Sequence, residues 1–462
     1  MMAAPQSSHP TDLAGSRVLV VGAARSGVAL ARFLLGRGAR VTVTDTQAAS
    51  AFGPEVQALG AAGVRLELGG HAPATFETAD LVVVSPGVPL GIAPIAAARR
   101  RGVRVIAEVE LASWFLRGRL VGITGTNGKS TTTALTAHLL EHAGVRAIAC
   151  GNIGTPLVDL VAGDTPDHHY VVELSSFQLE GIETLRPRVA ALLNLTPDHQ
   201  DRYPDMRTYY DAKMRIFMNQ RPDDDAVINH DDPGIRERAG RIRARRHPFS
   251  RTRDLADGMT VRGDALVLRR GGRDAAAVPI AASPLFGAHN LENVMTALLV
   301  ADLCGVPPDR VEAGLRDFRG LPHRLERVRV LDGAAWFNDS KATNVGATLM
   351  SLLSFPGEVV LILGGKDKGG DFASLVPTLR ERVRHVVLMG QARDAIAAQI
   401  GAAVPATRVV TMAEAIAAAR TQAARGGIVL LAPGCASFDQ YRNFEERGDD
   451  FRRRVLALPE GN

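Results

Sequence analysis

The run Val121-Gly122-Ile123-Thr124-Gly125-Thr126-Asn127-Gly128-Lys129-Ser130-Thr131-Thr132 constrains this chain more than any other stretch. A β-rich lead passes through closely spaced glycines into Lys-Ser, the residues that open a helix. Glycine lets the backbone turn tightly, and the amides of a helix start aim their hydrogens, with the positive end of the helix dipole, at one spot. Such a turn cradles phosphate oxygens. Lys129 adds charge, and Ser130 or Thr131 offers a hydroxyl to a Mg²⁺ ion. The strict phosphate loop has glycine where this chain has Ile123, so the spacing Gly122, Gly125, Gly128 is a variant of it. The segment reads as an ATP site; an ordinary strand-to-helix junction is the plainer alternative.

A chain of 462 residues exceeds one ordinary core, and its length suggests about three domains. With 46% hydrophobic and 22% charged residues it is globular throughout most of its length. No apolar run approaches the roughly 18 residues of a membrane span, and the first residues, Met1 to Thr11, lack the basic and apolar regions of a signal peptide. Cys150, Cys304 and Cys435 are odd in number and far apart, which argues against a disulfide framework or zinc cluster and fits a reducing cytoplasm. The formal charge of +5 is mild and the arginines are scattered, so no nucleic-acid partner is expected.

Three modules follow one another. Across 1–116, short β-branched runs (Val18-Leu19-Val20-Val21, Val41-Thr42-Val43, Leu81-Val82-Val83-Val84, Val103-Arg104-Val105-Ile106) alternate with helical stretches, the pattern of a parallel sheet covered on both faces. The second module, 117–318, opens with the glycine loop and adds strands ending at Glu173 and Thr196. Arg319-Gly320-Leu321-Pro322-His323-Arg324 reads as a linker, and 319–462 alternates again through Val359-Val360-Leu361-Ile362-Leu363-Gly364, Val386-Val387-Leu388-Met389 and Ile428-Val429-Leu430-Leu431. The predicted fold is α/β with three consecutive modules: Rossmann-like, a central parallel sheet like that of phosphate-loop ATPases, and a second Rossmann-like module.

In the first module, Gly22-Ala23-Ala24-Arg25-Ser26-Gly27 lies where a Rossmann phosphate loop would be, with Asp45 ending the second strand where an acid commonly holds a ribose. Ala24 replaces the central glycine of that fingerprint. The segment therefore reads as a nucleotide-diphosphate grip or a structural turn.

Beyond the glycine loop come Gly151-Asn152-Ile153-Gly154, Glu173-Leu174-Ser175-Ser176-Phe177-Gln178, and Asn194-Leu195-Thr196-Pro197-Asp198-His199-Gln200-Asp201-Arg202. In this order they resemble the Mur ligase family of ATP-dependent amide-forming enzymes, and the resemblance covers essentially the whole chain. Within that family, Asn338-Asp339-Ser340-Lys341-Ala342-Thr343-Asn344 is similar to the D-glutamate-adding branch, as are Ala436-Ser437-Phe438-Asp439-Gln440 and Asn443-Phe444-Glu445.

The resemblance implies roles residue by residue. Gly125, Thr126, Asn127, Gly128, Lys129, Ser130 and Thr131 would hold ATP, with Asn290, Asn293, Arg324, Asp339 and Lys341. Lys129, Glu173, His199 and Lys213 would carry the chemistry. Ser130, Glu173, His199 and a carbamylated Lys213 would ligate Mg²⁺, carbamylation turning an ammonium that repels the ion into an oxygen anion that binds it. Arg25, Ser26, Asp45, Thr46, Ser85, Gly87 and Asn152 match the uridine-diphosphate grip, although Gln47 stands where some relatives have a basic residue. Thr343, Lys368, Ser437 and Phe444 match positions around D-glutamate, with Lys366 a competitor for Lys368. The implied partners are UDP-N-acetylmuramoyl-L-alanine and D-glutamate, and a monomer is expected. If Lys129 and Arg324 sit on different modules, closure would gate catalysis. Two rival readings are a folylpolyglutamate-synthase-like ligase, which has no need of the first module, and a nicotinamide-dependent dehydrogenase, which leaves Lys129, Glu173 and the third module idle. A non-catalytic ATP switch is a third.

Overall fold

The structure, a computed structural model, describes residues 11–198 and 202–460. Two compact units divide it: the first comprises the chain up to Ala282 with Glu292–Phe318, the second Ser283–Leu291 with the chain from Arg319 onward.

The first unit holds two sheets. Strands β1 (Arg17–Val21), β2 (Arg40–Asp45), β3 (Arg65–Leu68), β4 (Leu81–Val84) and β5 (Arg104–Ala107) form a parallel sheet in the order β3-β2-β1-β4-β5. Because side chains alternate along a strand, Val18 and Val20 join one apolar cluster while Leu19 and Val21 join another. Helices must therefore cover both faces, and the ends of the strands are left to meet ligands.

The second sheet contains β6 (Arg119–Thr124), β7 (Ala147–Gly151), β8 (His169–Glu173), β9 (Val189–Leu192), β10 (Asp225–Asn229), β11 (Arg245–Ser250), β12 (Gly258–Arg262), β13 (Ala265–Arg270) and β14 (Arg273–Pro279), ordered β14-β13-β12-β11-β10-β9-β6-β8-β7. It is parallel as far as β12; β13 and β14 are antiparallel, where the sequence had suggested a parallel sheet throughout. The reason is local. Gly263 (φ 57°), Gly271 (φ 55°) and Gly272 (φ 76°) occupy left-handed turn positions that reverse the chain at once, leaving no room for a crossover helix. Strand β9 also stops at Leu192, short of the expected Thr196. The next residues leave the ladder to brace the glycine loop.

The second unit has one six-stranded sheet: β15 (Glu326–Leu331), β16 (Ala334–Asn338), β17 (Val359–Gly364), β18 (Val383–Met389), β19 (Ala406–Arg408) and β20 (Ile428–Leu431), ordered β15-β16-β20-β17-β18-β19. Only β15 is antiparallel to its neighbour. Strand β17 is buried along its whole length, with Val359, Leu361 and Leu363 in one cluster and Val360 and Ile362 in the other. The carboxyl ends of β16, β20 and β17 lie side by side, so the segments after them meet at one edge. No helix among the described residues is long and apolar enough to cross a membrane.

Candidate active site

Strand β6 lies between β8 and β9, and the chain leaves its carboxyl end through Gly125 (φ 157°) and Gly128 (φ 84°) into the helix Lys129–His142. Gly128 suits its place: its φ of 84° strains any L side chain, and a Cβ there would stand 2.1 Å from Asn293 Oδ1. The loop is tied down by the segment after β9. Asn194 accepts from the Asn127 amide (2.8 Å) and donates to the Asn127 carbonyl (3.1 Å), while the Thr126 hydroxyl donates to the Thr196 carbonyl (3.1 Å) and accepts from its amide (3.1 Å). Lys129 Nζ curls over the loop, donating to the carbonyls of Gly125 (3.1 Å) and Thr126 (2.8 Å). Ser130 and Thr131 are buried in the first turn, and Thr132 donates to Asn293 Oδ1 (3.2 Å).

Glu173 closes β8 and is 2% exposed. Its Oε1 accepts from Asn152 Nδ2 (2.8 Å), and its Oε2 is buried without a hydrogen-bond partner among the described residues. Asn152, expected to reach a sugar, is thus engaged with this carboxylate. Lys213, on the helix Met206–Met214, is 1% exposed, donates to the Gly125 carbonyl (2.8 Å) and lies 4.7 Å from the centre of the Tyr209 ring. Burial, and then the like charge of Lys129, push its ammonium well below the usual lysine range, against the opposing pull of Asp198 and Glu173. Lys129, Glu173 and Lys213 are therefore electrostatic neighbours around one loop. His199 lies outside the described residues.

At the first sheet, Gly22 (φ 100°) turns the chain into the helix Arg25–Gly36, and a Cβ on Gly27 would collide with the Gly22 carbonyl at 1.8 Å. Asp45 accepts from the amides of Ala23 (2.8 Å) and Gln47 (2.9 Å), joining the turns after β1 and β2. Ser85, buried, donates to the Gly22 carbonyl (3.2 Å). Arg25, Thr46 and Gly87 are exposed at the same strand ends, and Ser26 is half-buried.

In the second unit, Asp339 follows β16 and accepts from Ser351 Oγ; burial raises its carboxyl to about 6, Ser351 and Arg324 opposing the shift. Lys341 Nζ rests 4.1 Å from the centre of the Phe444 ring. Thr343 is half-buried, Ser437 is 2% exposed, and Lys366 and Lys368 are both exposed. Asn290, 5% exposed, donates to the Phe286 carbonyl (2.8 Å) in this unit, whereas Asn293, 3% exposed, belongs to the first. Two supporting residues escaped the sequence reading. Asn194 was taken as strand, and Tyr209, whose hydroxyl reaches Thr126 Oγ1 (3.3 Å), carries no local signal beyond its place before Lys213.

A phosphate loop at the end of a parallel strand, flanked by a strand-end carboxylate and a buried amine, defines an α/β phosphate-loop enzyme. Residues 16–107 match the N-terminal domain of MurD-like Mur ligases, 123–301 the Mur ligase middle domain and 323–435 the Mur ligase glutamate ligase domain. The chain is 46% identical over 450 residues to a UDP-N-acetylmuramoylalanine--D-glutamate ligase of Geotalea uraniireducens, covering 97% of this chain and 99% of the relative. A ligase of the same name from Geobacter metallireducens is 47% identical over 450 residues, with the same coverage. Among solved structures, the UDP-N-acetylmuramate-alanine ligase of Thermotoga maritima shares the fold at a TM-score of 0.60 and 17% identity, covering 96% of this chain and 99% of that one. This chain belongs to the Mur ligase family.

Proposed function

We propose that this protein joins D-glutamate to the alanyl carboxylate of UDP-N-acetylmuramoyl-L-alanine, cleaving ATP to ADP and phosphate, as a cytoplasmic monomer in peptidoglycan precursor synthesis. The observation that carries the reading is the convergence of Lys129, Glu173 and Lys213 on one glycine loop, in a chain nearly half identical to ligases of that name.

The chemistry follows from the electrophile. A carboxylate is anionic and has a poor leaving group; transfer of the γ-phosphoryl to one of its oxygens cures both faults, with ADP departing. The amine of D-glutamate then attacks the acyl carbon, phosphate leaves, and the nitrogen gives up a proton. Lys129 neutralises charge on the phosphates, and Arg324 and Lys341 would add to it. The donor set suits a hard cation: Glu173 Oε2 is buried and, among the described residues, unpartnered, and the Ser130 hydroxyl opens the helix beside the loop. Lys213 would join them as a carbamate. Mg²⁺ held there would supply charge neutralisation on the transferring phosphoryl group.

The nucleotide acceptor would lie along the strand ends of the first sheet, on Arg25, Ser26, Asp45, Thr46, Ser85 and Gly87. D-Glutamate would meet Thr343, Lys368, Ser437 and Phe444. Phosphate release measured across D-glutamate, L-glutamate, L-lysine and meso-diaminopimelate tests the reading, and D-glutamate alone should turn over. Lys129→Ala should stay folded and lose acceptor-dependent ADP formation by about 10²-fold or more. Turnover with a different amino acid, or an undiminished Lys129→Ala, rejects the proposal.

A further inference from the structure

The helix Phe444–Ala457 turns Phe451 and Val455 into the core, and Arg447, one turn before Phe451, points the same way. Arg447 is 1% exposed. Its Nε donates to Ser340 Oγ (3.0 Å), one terminal nitrogen to the Ser340 carbonyl (2.9 Å) and the other to the Cys435 carbonyl (3.1 Å). All three acceptors are uncharged. Among the described residues Arg447 forms no ion pair, and Asp439, a carboxylate whose charge acts on it, is engaged with the Gln391 amide (3.0 Å). Burial lowers the guanidinium to about 10, which leaves it charged at neutral pH.

A buried charge without a counter-ion is costly, and a helix of this amphipathic kind would pack as well with an apolar residue at that position. What the cation holds together explains its presence. Ser340 lies in the 338–344 segment, three residues before Thr343, and its hydroxyl donates to the Phe444 carbonyl (2.8 Å). Cys435 is two residues before Ser437. Ala436, between them, exchanges hydrogen bonds with Lys366 (2.8 and 3.0 Å), and a Cβ on Gly365 would stand 3.1 Å from a terminal nitrogen of Arg447. The segments bearing Thr343, Lys368, Ser437 and Phe444 therefore meet around one guanidinium.

We infer that Arg447 is the positioning residue of the amino-acid pocket: it ties these four segments together and places a positive charge that forms no ion pair behind them, favouring a dicarboxylic amino acid over a neutral one. The inference rests on the proposed ligation of D-glutamate and adds to it a residue that need not touch the substrate.

Steady-state kinetics with each of the three substrates varied in turn, on Arg447→Met, Arg447→Lys and Ser340→Ala, tests this, with thermal unfolding recorded alongside. In Arg447→Met the KM for D-glutamate should rise about tenfold or more, while those for ATP and the nucleotide acceptor stay within about threefold. Arg447→Lys, which keeps the charge and loses the fork, should fall between wild type and Arg447→Met. If Arg447→Met does not fold, Ser340→Ala decides, with a smaller shift in the same direction. Equal changes in all three KM values, or an unchanged KM for D-glutamate, overturn the inference while leaving the proposed function intact. A wild-type protein that ligates a different amino acid overturns both.

Discussion

Lys213 shows how far a single residue's chemistry depends on where the fold puts it. In the sequence it is a lysine on a short polar helix, as compatible with a solvated face as with a site. In the structure it is buried against the Gly125 carbonyl and the Tyr209 ring, beside Lys129. A lysine held below its ordinary range gives up its proton more readily, and the neutral amine is the form that adds CO₂. Protein equilibrated with ¹³C-bicarbonate should show a carbamate carbon resonance that is missing from Lys213→Met. The stability sign follows as well. Between the lowered folded value and the ordinary value of 10.5 the unfolded chain binds the extra proton, so stability rises with pH across that window. In CO₂-free buffer the urea midpoint of wild type should therefore climb relative to Lys213→Met as the pH is raised toward 10.5. Lys129 and Glu173 were legible because a loop motif and a strand end mark them. Asn194 and Arg447 were not: one was taken as strand, the other was not singled out, and only long-range contacts distinguish them.

At the scale of elements, the glycine loop was readable because its geometry needs residues without a Cβ, and the positive φ and close neighbours of Gly125 and Gly128 agree with that need. The helix Glu108–Ser113 could not be read in this way. It carries two acids, Glu108 and Glu110, both fully buried. Glu110 accepts from the amides of Glu183, Thr184 and Leu185 and from Trp114 Nε1, which caps a loop of the second sheet. Glu108 has fewer partners, chiefly the Val158 amide (2.9 Å), and burial, reinforced by Asp159, raises its carboxyl to about 7. Its folded state keeps a proton that the unfolded state has lost, so stability falls as pH rises from 4.5 to about 7 and the penalty is complete above that. The shift corresponds to about 3 kcal/mol. Glu108→Gln removes this slope, so the variant should gain on wild type in chemical denaturation between pH 5 and pH 8, by roughly that amount at most.

Across the whole molecule, each of the two units has its own apolar clusters, one set drawn from residues before Ala282 and the other from residues after Arg319. Calorimetry should resolve two transitions, and uridine diphosphate, as a probe for the first sheet, should raise the midpoint of one by a few degrees and leave the other in place. A single transition that shifts as one would contradict this. The α/β class and the alternation of strands and helices followed from local pattern, because strands covered on both faces must be apolar at every position and phosphate loops must be glycine-rich. Two things were decided only in three dimensions: the joining of Ser283–Leu291 to the second unit, and the burial of Lys213, Glu108 and Arg447. Each depends on contacts between residues far apart in the chain. A charged side chain reads the same in sequence whether water or protein surrounds it.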